Sequence, residues 1–188
     1  MGAVLAGWLL ARRRIGFAAQ RPAFYAETAP VFDLRRHLSG TFQSEGVIYG
    51  PLGRVDSRFV ARMQGDWQGD QGTLRESFRF ASGATQTRAW QLRLTDGNRF
   101  TATADDVVGT AHGEQSGAAL RLIYRLRLPA DAGGHVLSVV DWLYLTENGS
   151  IVNRSEMRKF GIKVAELVAT MRPLAPTDAD SPQPVLSD

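Results

Sequence analysis

The sequence predicts an all-β chain, an antiparallel up-and-down barrel of about eight to ten strands. Three observations carry the prediction. From Thr41 to Met171 apolar and polar residues alternate with a period of two. Turn chemistry built on Gly, Asp, Asn and Pro interrupts that alternation every ten to fifteen residues or so. No stretch between the turns is long enough for a crossover helix, so the strands pair antiparallel as a meander. A meander with one polar face hides its edges by closing on itself.

The elements follow in order. Thr41–Tyr49 is the first strand, turned by Gly50-Pro51-Leu52-Gly53. Along Arg54–Trp67, Val55, Phe59, Ala61 and Met63 oppose Arg54, Asp56, Arg58, Arg62 and Gln64. Gly69-Asp70-Gln71-Gly72 leads into Thr73–Ala81, where Leu74, Phe78 and Phe80 oppose Arg75, Ser77 and Arg79. Ser82-Gly83 precedes Thr85–Leu94, with Trp90, Leu92 and Leu94 on one face. Asp96-Gly97-Asn98 turns into Arg99–Ala104, and Asp105-Asp106 separates that strand from a short one at Val107–Glu114. In Ala119–Leu128, five apolar residues from Leu120 to Leu128 oppose Arg121, Arg125 and Arg127. Asp131-Ala132-Gly133-Gly134 precedes His135–Thr146, and Ile162–Met171 closes the series. The arginine-rich faces read as outer surface, and the aromatic residues mostly fall on inward faces.

The hairpin from Asp141 to Gly161 is turned at Asn148-Gly149; its first half is the least polar part of the series, and its return strand carries charge. Asp141 lies among Leu137, Val139, Leu143 and Leu145 on one face, while Val140, Trp142 and Tyr144 make the other face apolar too. A carboxylate so placed is buried and needs a partner. The expected register sets it near Lys159 or Arg158, so Arg154, Arg158 and Lys159 are the candidates. A structural pair and an acid/base role both fit such a group. Asp105 and Asp106 are adjacent, so they point to opposite faces; one faces the interior and the other caps a turn.

The flanks differ from this body. Gly2 to Ala11 is apolar and ends at Arg12-Arg13-Arg14. Ten apolar residues rise only about 15 Å as a helix, half of a hydrocarbon core. Residues 1–14 are therefore expected to associate with membrane lipid as an interfacial or partial anchor, or as part of a span that begins upstream; a frayed soluble helix is the alternative. If the segment spans, the arginines place the domain on the cytoplasmic side. Residues 15–40 form a linker with helical bias. In it Asp33-Leu34-Arg35-Arg36-His37-Leu38 makes one or two turns of helix that plug or lid one end of the barrel. The barrel domain is expected over residues 41–172. From Pro173 the proline-rich acidic tail, residues 173–188, is expected to be disordered.

Composition narrows the chemistry. The chain has 188 residues, a net charge of +3 and no cysteine, which excludes disulfides, thiolate metal sites and cysteine nucleophiles. Its basic residues are spread along strands and interleaved with acids, so nucleic acid is not an expected partner. His37, His112 and His135 show no metal-ligand spacing. There is no nucleophile elbow, phosphate loop or dinucleotide glycine pattern. No cofactor or metal is implied and no catalytic residue is assigned, with Asp141, Asp106 and Arg154 as weak candidates. Trp90, Tyr124, Trp142, Tyr144 and Asp141 are the expected ligand-binding residues.

Three runs carry a family resemblance: Thr103-Ala104-Asp105-Asp106-Val107-Val108-Gly109-Thr110-Ala111 with Gly113-Glu114; Asp141-Trp142-Leu143-Tyr144-Leu145; and Asn153 to Gly161. Over about Phe32 to Met171 the chain resembles a proteobacterial domain-of-unknown-function family, number thirty-eight thirty-three. The resemblance implies a lipocalin-like domain, often membrane-tethered and periplasmic, with relatives encoded near enzymes that modify fatty acids. It implies no activity. Many members look like lipoproteins, and this chain departs from them in having no cysteine to acylate. The leading expectation is a membrane-associated, lipocalin-like barrel that binds an apolar ligand such as a fatty-acyl chain, or serves lipid-modifying enzymes. A structural subunit of a membrane-protein complex, or an enzyme on a lipid-like substrate using Asp141, are the alternatives.

Overall fold

A computed structural model describes residues 16–175. Ten strands close into one antiparallel barrel: β1 (Gly40–Tyr49), β2 (Val55–Gln68), β3 (Gln71–Phe80), β4 (Thr85–Leu94), β5 (Arg99–Thr103), β6 (Ala111–Ser116), β7 (Ala119–Arg127), β8 (Val136–Leu145), β9 (Ile151–Lys159) and β10 (Ile162–Pro173). Each strand pairs with its neighbours in sequence, and β1 pairs with β10 to seal the barrel. The period-two alternation therefore becomes an inner and an outer wall, as the predicted barrel requires.

One strand differs from expectation. Val107–Glu114 does not form; β6 starts at Ala111, and residues 104–110 are a loop. The loop spends its backbone groups on β7 instead: Arg127 N–H donates to Asp106 O at 2.7 Å, and Val108 N–H donates to Arg125 O at 2.8 Å. Val107 bridges Leu126 and packs against the core. The apolar residues that suggested a strand serve to fold the loop inward.

One end of the barrel is plugged. The chain enters through α1 (Leu34–His37), whose Asp33 N-cap carboxylate accepts from Arg36 N–H at 3.1 Å. Phe32, Leu34 and Leu38 are buried in the same apolar cluster as Phe42, Ile151 and Met171. Fully burying side chains of this size contributes on the order of 2 kcal/mol each. The Trp67 indole N–H donates to Leu38 O at 3.1 Å. A Cβ on Gly65 would lie 1.8 Å from that same carbonyl, so only glycine lets the plug sit this deep.

The preceding segment lies outside the barrel wall. Phe17–Ala19 and Pro22–Tyr25 are single 3₁₀ turns rather than a longer helix. They carry Phe17 and Tyr25 onto the outer face of β7 and β8, against Ala119, Trp142 and Tyr144. The Tyr144 hydroxyl donates to Gln20 Oε1 at 2.6 Å, and the Tyr25 hydroxyl donates to the same oxygen. No helix among the described residues is long and apolar enough to cross a membrane. The membrane-associating segment expected at residues 1–14 lies outside the described residues, as does the tail beyond residue 175. Pro173 itself belongs to β10, and Leu174 N–H still donates to Thr41 O at 2.9 Å.

Candidate functional site

Above the plug the inner wall encloses a cavity of about 250 Å³. It runs from Leu38 at the plug to Leu128 and Pro129 near the opposite end, and its wall includes Phe59, Phe78, Trp90, Leu122, Met157 and Leu167. Within that apolar wall sits a polar band: Glu76 on β3, Arg88 on β4, Asp106 in the loop before β6, Tyr124 on β7, Asp141 on β8, and Asn153 and Ser155 on β9.

The band has two halves. In the first, Asp141 accepts from Asn153 Nδ2 at 2.8 Å, from the Tyr124 hydroxyl at 3.2 Å and from the Ser155 hydroxyl. Burial raises the Asp141 pKa, and these three donors oppose that rise. Burial and the adjacent Asp141 charge also hold the Tyr124 phenol well above its ordinary value, so it stays a donor. In the second half, Arg88 gives Nε and Nη2 to one oxygen of Asp106, at 2.9 and 2.6 Å. Glu76 faces Arg88 across the β3–β4 ladder, but their nearest charged atoms are 3.9 Å apart. Burial raises the Glu76 pKa from 4.5 to about 7, against the pull of Arg88. Glu76 Oε2, Asp106 Oδ1 and Ser44 Oγ are buried without a hydrogen bond. A carboxyl group poised near neutral pH can take up or release a proton there.

Of the residues expected to bind a ligand, Trp90, Tyr124 and Asp141 line the cavity. Trp142 and Tyr144 do not. They project from the outer face of β8, where the 3₁₀ turns cover them. Both faces of β8 are apolar because one packs inward and the other lies under the N-terminal segment. Arg154 also points outward: it pairs with Glu166 at 2.7 Å and stacks over Phe17, its guanidinium carbon 4.8 Å from the ring centroid. It is not the partner of Asp141, and neither is Arg158 or Lys159. The loop of residues 146–150 is symmetric about Asn148, which sets Asp141 opposite Ser155 rather than opposite a basic residue. Asp106 does face the interior, while Asp105 is exposed.

Glu76 and Arg88 are the functional candidates that strand patterning missed. Their signal is present, since Glu76 falls in register between Leu74 and Phe78, and Arg88 lies two residues before Trp90. Charged residues on the apolar register of a strand mark the inside of the barrel here. Arg88 is thus an exception to the reading of the arginines as outer surface. Among the described residues no cluster of His, Asp or Glu is placed to hold a metal ion.

The family model for a protein of unknown function, DUF3833, matches residues 13–173. The chain belongs to the DUF3833 family. No curated protein matches the sequence. Among solved structures, Rv2717c from M. tuberculosis matches this DUF3833 chain with a TM-score of 0.56 at 14% identity, covering 79% of this chain and 100% of its own. The S-type phycobiliprotein lyase CPES from Guillardia theta matches with a TM-score of 0.54 at 5% identity, covering 83% of this chain and 98% of its own. These likenesses establish a shared lipocalin-like barrel fold for the DUF3833 chain.

Proposed function

We propose that this DUF3833 barrel binds a small apolar ligand whose polar end donates hydrogen bonds. The observation that supports it is the composition of the band inside the cavity. Within the band three carboxyl groups face the Arg88 guanidinium, which is committed to Asp106, while the other arginine of the lining, Arg127, is an exposed residue at the end of β7. A free fatty-acid anion would meet the carboxyl groups of Asp106 and Asp141 and, above about pH 7, an ionised Glu76, and like charges at such range in a poorly solvated site are unfavourable. An alcohol, amide or amine on an apolar body would instead satisfy Glu76 Oε2, Asp106 Oδ1 and Ser44 Oγ.

Size limits the ligand further. A protein cavity of about 150 Å³ holds benzene, so 250 Å³ takes a fused ring system or part of one acyl chain rather than a whole diacyl lipid. The apolar, arginine-collared residues 1–14 support a barrel held at a membrane, where apolar ligands partition.

Two probes with one apolar body test the reading. N-Phenyl-1-naphthylamine is neutral and carries an N–H donor; 1-anilinonaphthalene-8-sulfonate adds a negative charge. The neutral probe is expected to bind, with its affinity cut roughly tenfold or more when Leu167→Trp fills the cavity. Glu76→Gln is expected to narrow the discrimination against the sulfonate. Equal uptake of both probes, or binding indifferent to Leu167→Trp, overturns the proposal.

A further inference from the structure

We infer that the barrel end opposite the plug is a docking surface for a lipid bilayer carrying anionic headgroups. The inference rests on the tips of two hairpins, and it stands independently of what the cavity binds. At the β9–β10 tip, Lys159 pairs with Ile162, leaving a two-residue turn of Phe160 and Gly161 with φ of 52° and 80°. Both angles belong to the left-handed region that such a turn demands. Asn or Gly serves there at little strain, whereas a bulky residue is an outlier. Phe160 is 93% exposed, and Ile162 beside it is 69% exposed. The fold thus holds an aromatic ring out in water, in a backbone conformation the ring disfavours.

The turn is braced from below. Arg158 Nη1 donates to Gly161 O at 2.8 Å while its Nε and Nη2 bind Glu156. The second tip lies alongside. β1 sits between β2 and β10, with Tyr49 paired to Glu166 on one side and Val55 on the other. The β1–β2 loop therefore lies next to the start of β10, and it carries Leu52, 84% exposed, and exposed Arg54.

Charge decides the partner. Both lysines of the chain, Lys159 and Lys163, flank Phe160-Gly161-Ile162. The nearby acids Glu156 and Glu166 are each bound by an arginine or lysine. Around the two tips Arg54, Arg158, Lys159 and Lys163 outnumber Asp56, Glu156 and Glu166. Convex apolar tips ringed by basic side chains fit the interface of an anionic bilayer, where the apolar groups enter the acyl boundary and the cations stay among the headgroups. A protein interface asks for a broad complementary patch of about 800 Å² per partner, which two narrow tips do not supply.

The absence of cysteine makes the test site-specific. Full-length chains carrying Phe160→Cys, or Glu147→Cys at the plugged end, are labelled with a nitroxide and mixed with vesicles of phosphatidylcholine, with or without about one-third phosphatidylglycerol. The label at position 160 is expected to lose contact with a water-soluble relaxation agent and gain contact with oxygen on the anionic vesicles only, while the label at position 147 does not change. Lys159→Glu with Lys163→Glu is expected to weaken binding roughly tenfold or more. Phe160→Asn, which suits the turn better, is expected to fold normally and bind vesicles more weakly.

A label at position 160 that stays in water on vesicle-bound protein overturns the inference. So does dipolar coupling between two labels at position 160, which would mean that a second copy covers the tip, and so does vesicle binding unchanged in Phe160→Asn and in the double lysine variant.

Discussion

Glu76 and Arg88 oppose each other across β3 and β4, yet they do not form the close pair that the ladder offers them. Their nearest charged atoms are 3.9 Å apart, because Arg88 turns both donating nitrogens toward Asp106. Glu76 is left deep in the barrel with one oxygen unbonded and its pKa pushed up to about 7.

That relationship makes stability depend on pH. Between 4.5 and about 7 the folded chain keeps a proton that the unfolded chain has lost. Stability from this group is therefore fully present below 4.5, falls as pH rises through the window, and is lost above about 7. The full effect is about 3 kcal/mol. Glu76→Gln removes the titration, so urea unfolding should show the variant gaining on the parent as pH rises from 4 to 8. Parallel stability curves for the two proteins would rule this out.

Asp141 behaves as a hub of three donors, not as half of an ion pair. Asp141→Ala leaves Tyr124, Asn153 and Ser155 without their shared acceptor and is expected to cost about 2–4 kcal/mol. Arg154→Ala breaks a partly exposed pair with Glu166 and a cation–π contact with Phe17, and is expected to cost about 1 kcal/mol. A double-mutant cycle between Asp141→Asn and Ser155→Ala should give a coupling of about 1–2 kcal/mol. Similar losses for Asp141→Ala and Arg154→Ala would contradict the assignment.

The barrel was legible because its turns are spelled out in local chemistry and its strands alternate over most of their length. A short stretch such as Val107–Glu114 misleads, since Val107 and Val108 look the same whether they join a strand or fold a loop onto β7. Asp141 stood out because an acid among leucines is conspicuous. Its partners did not, because naming them needs the register around Asn148, and an error of a few residues replaces Ser155 with a basic residue. Trp142 and Tyr144 misled for a different reason. An apolar outer face reads like an inner one until the segment that covers it is known.

Trp90 and Trp142 should accordingly separate binding from stability. Trp90 lines the cavity, whereas Trp142 is buried outside the barrel wall against Phe17 and Tyr25. Trp142→Leu is expected to lower stability by about 1–3 kcal/mol and leave the affinity for the neutral naphthylamine probe unchanged. Trp90→Leu should change that affinity, because it alters the cavity wall itself. Fluorescence titration of the two variants decides, and a loss of affinity confined to Trp142→Leu would reverse the placement of the site.

Phe160 offers the last test, because its two roles pull in opposite directions. A phenylalanine at φ 52° carries strain of about 1–2 kcal/mol that asparagine largely avoids. Its ring is 93% exposed, so removing it forfeits almost no burial within the chain. Phe160→Asn should therefore stabilise the protein by about 1 kcal/mol, a rise in Tm of about 3 °C for a chain of this length. A thermal melt in vesicle-free buffer measures it. A fall in Tm would mean that the ring packs favourably against the rim, for instance through Lys159, whose ammonium lies 5.5 Å from the ring centroid. A rise would mean that the residue is kept at a cost to folding, as expected of a side chain whose partner lies outside the chain.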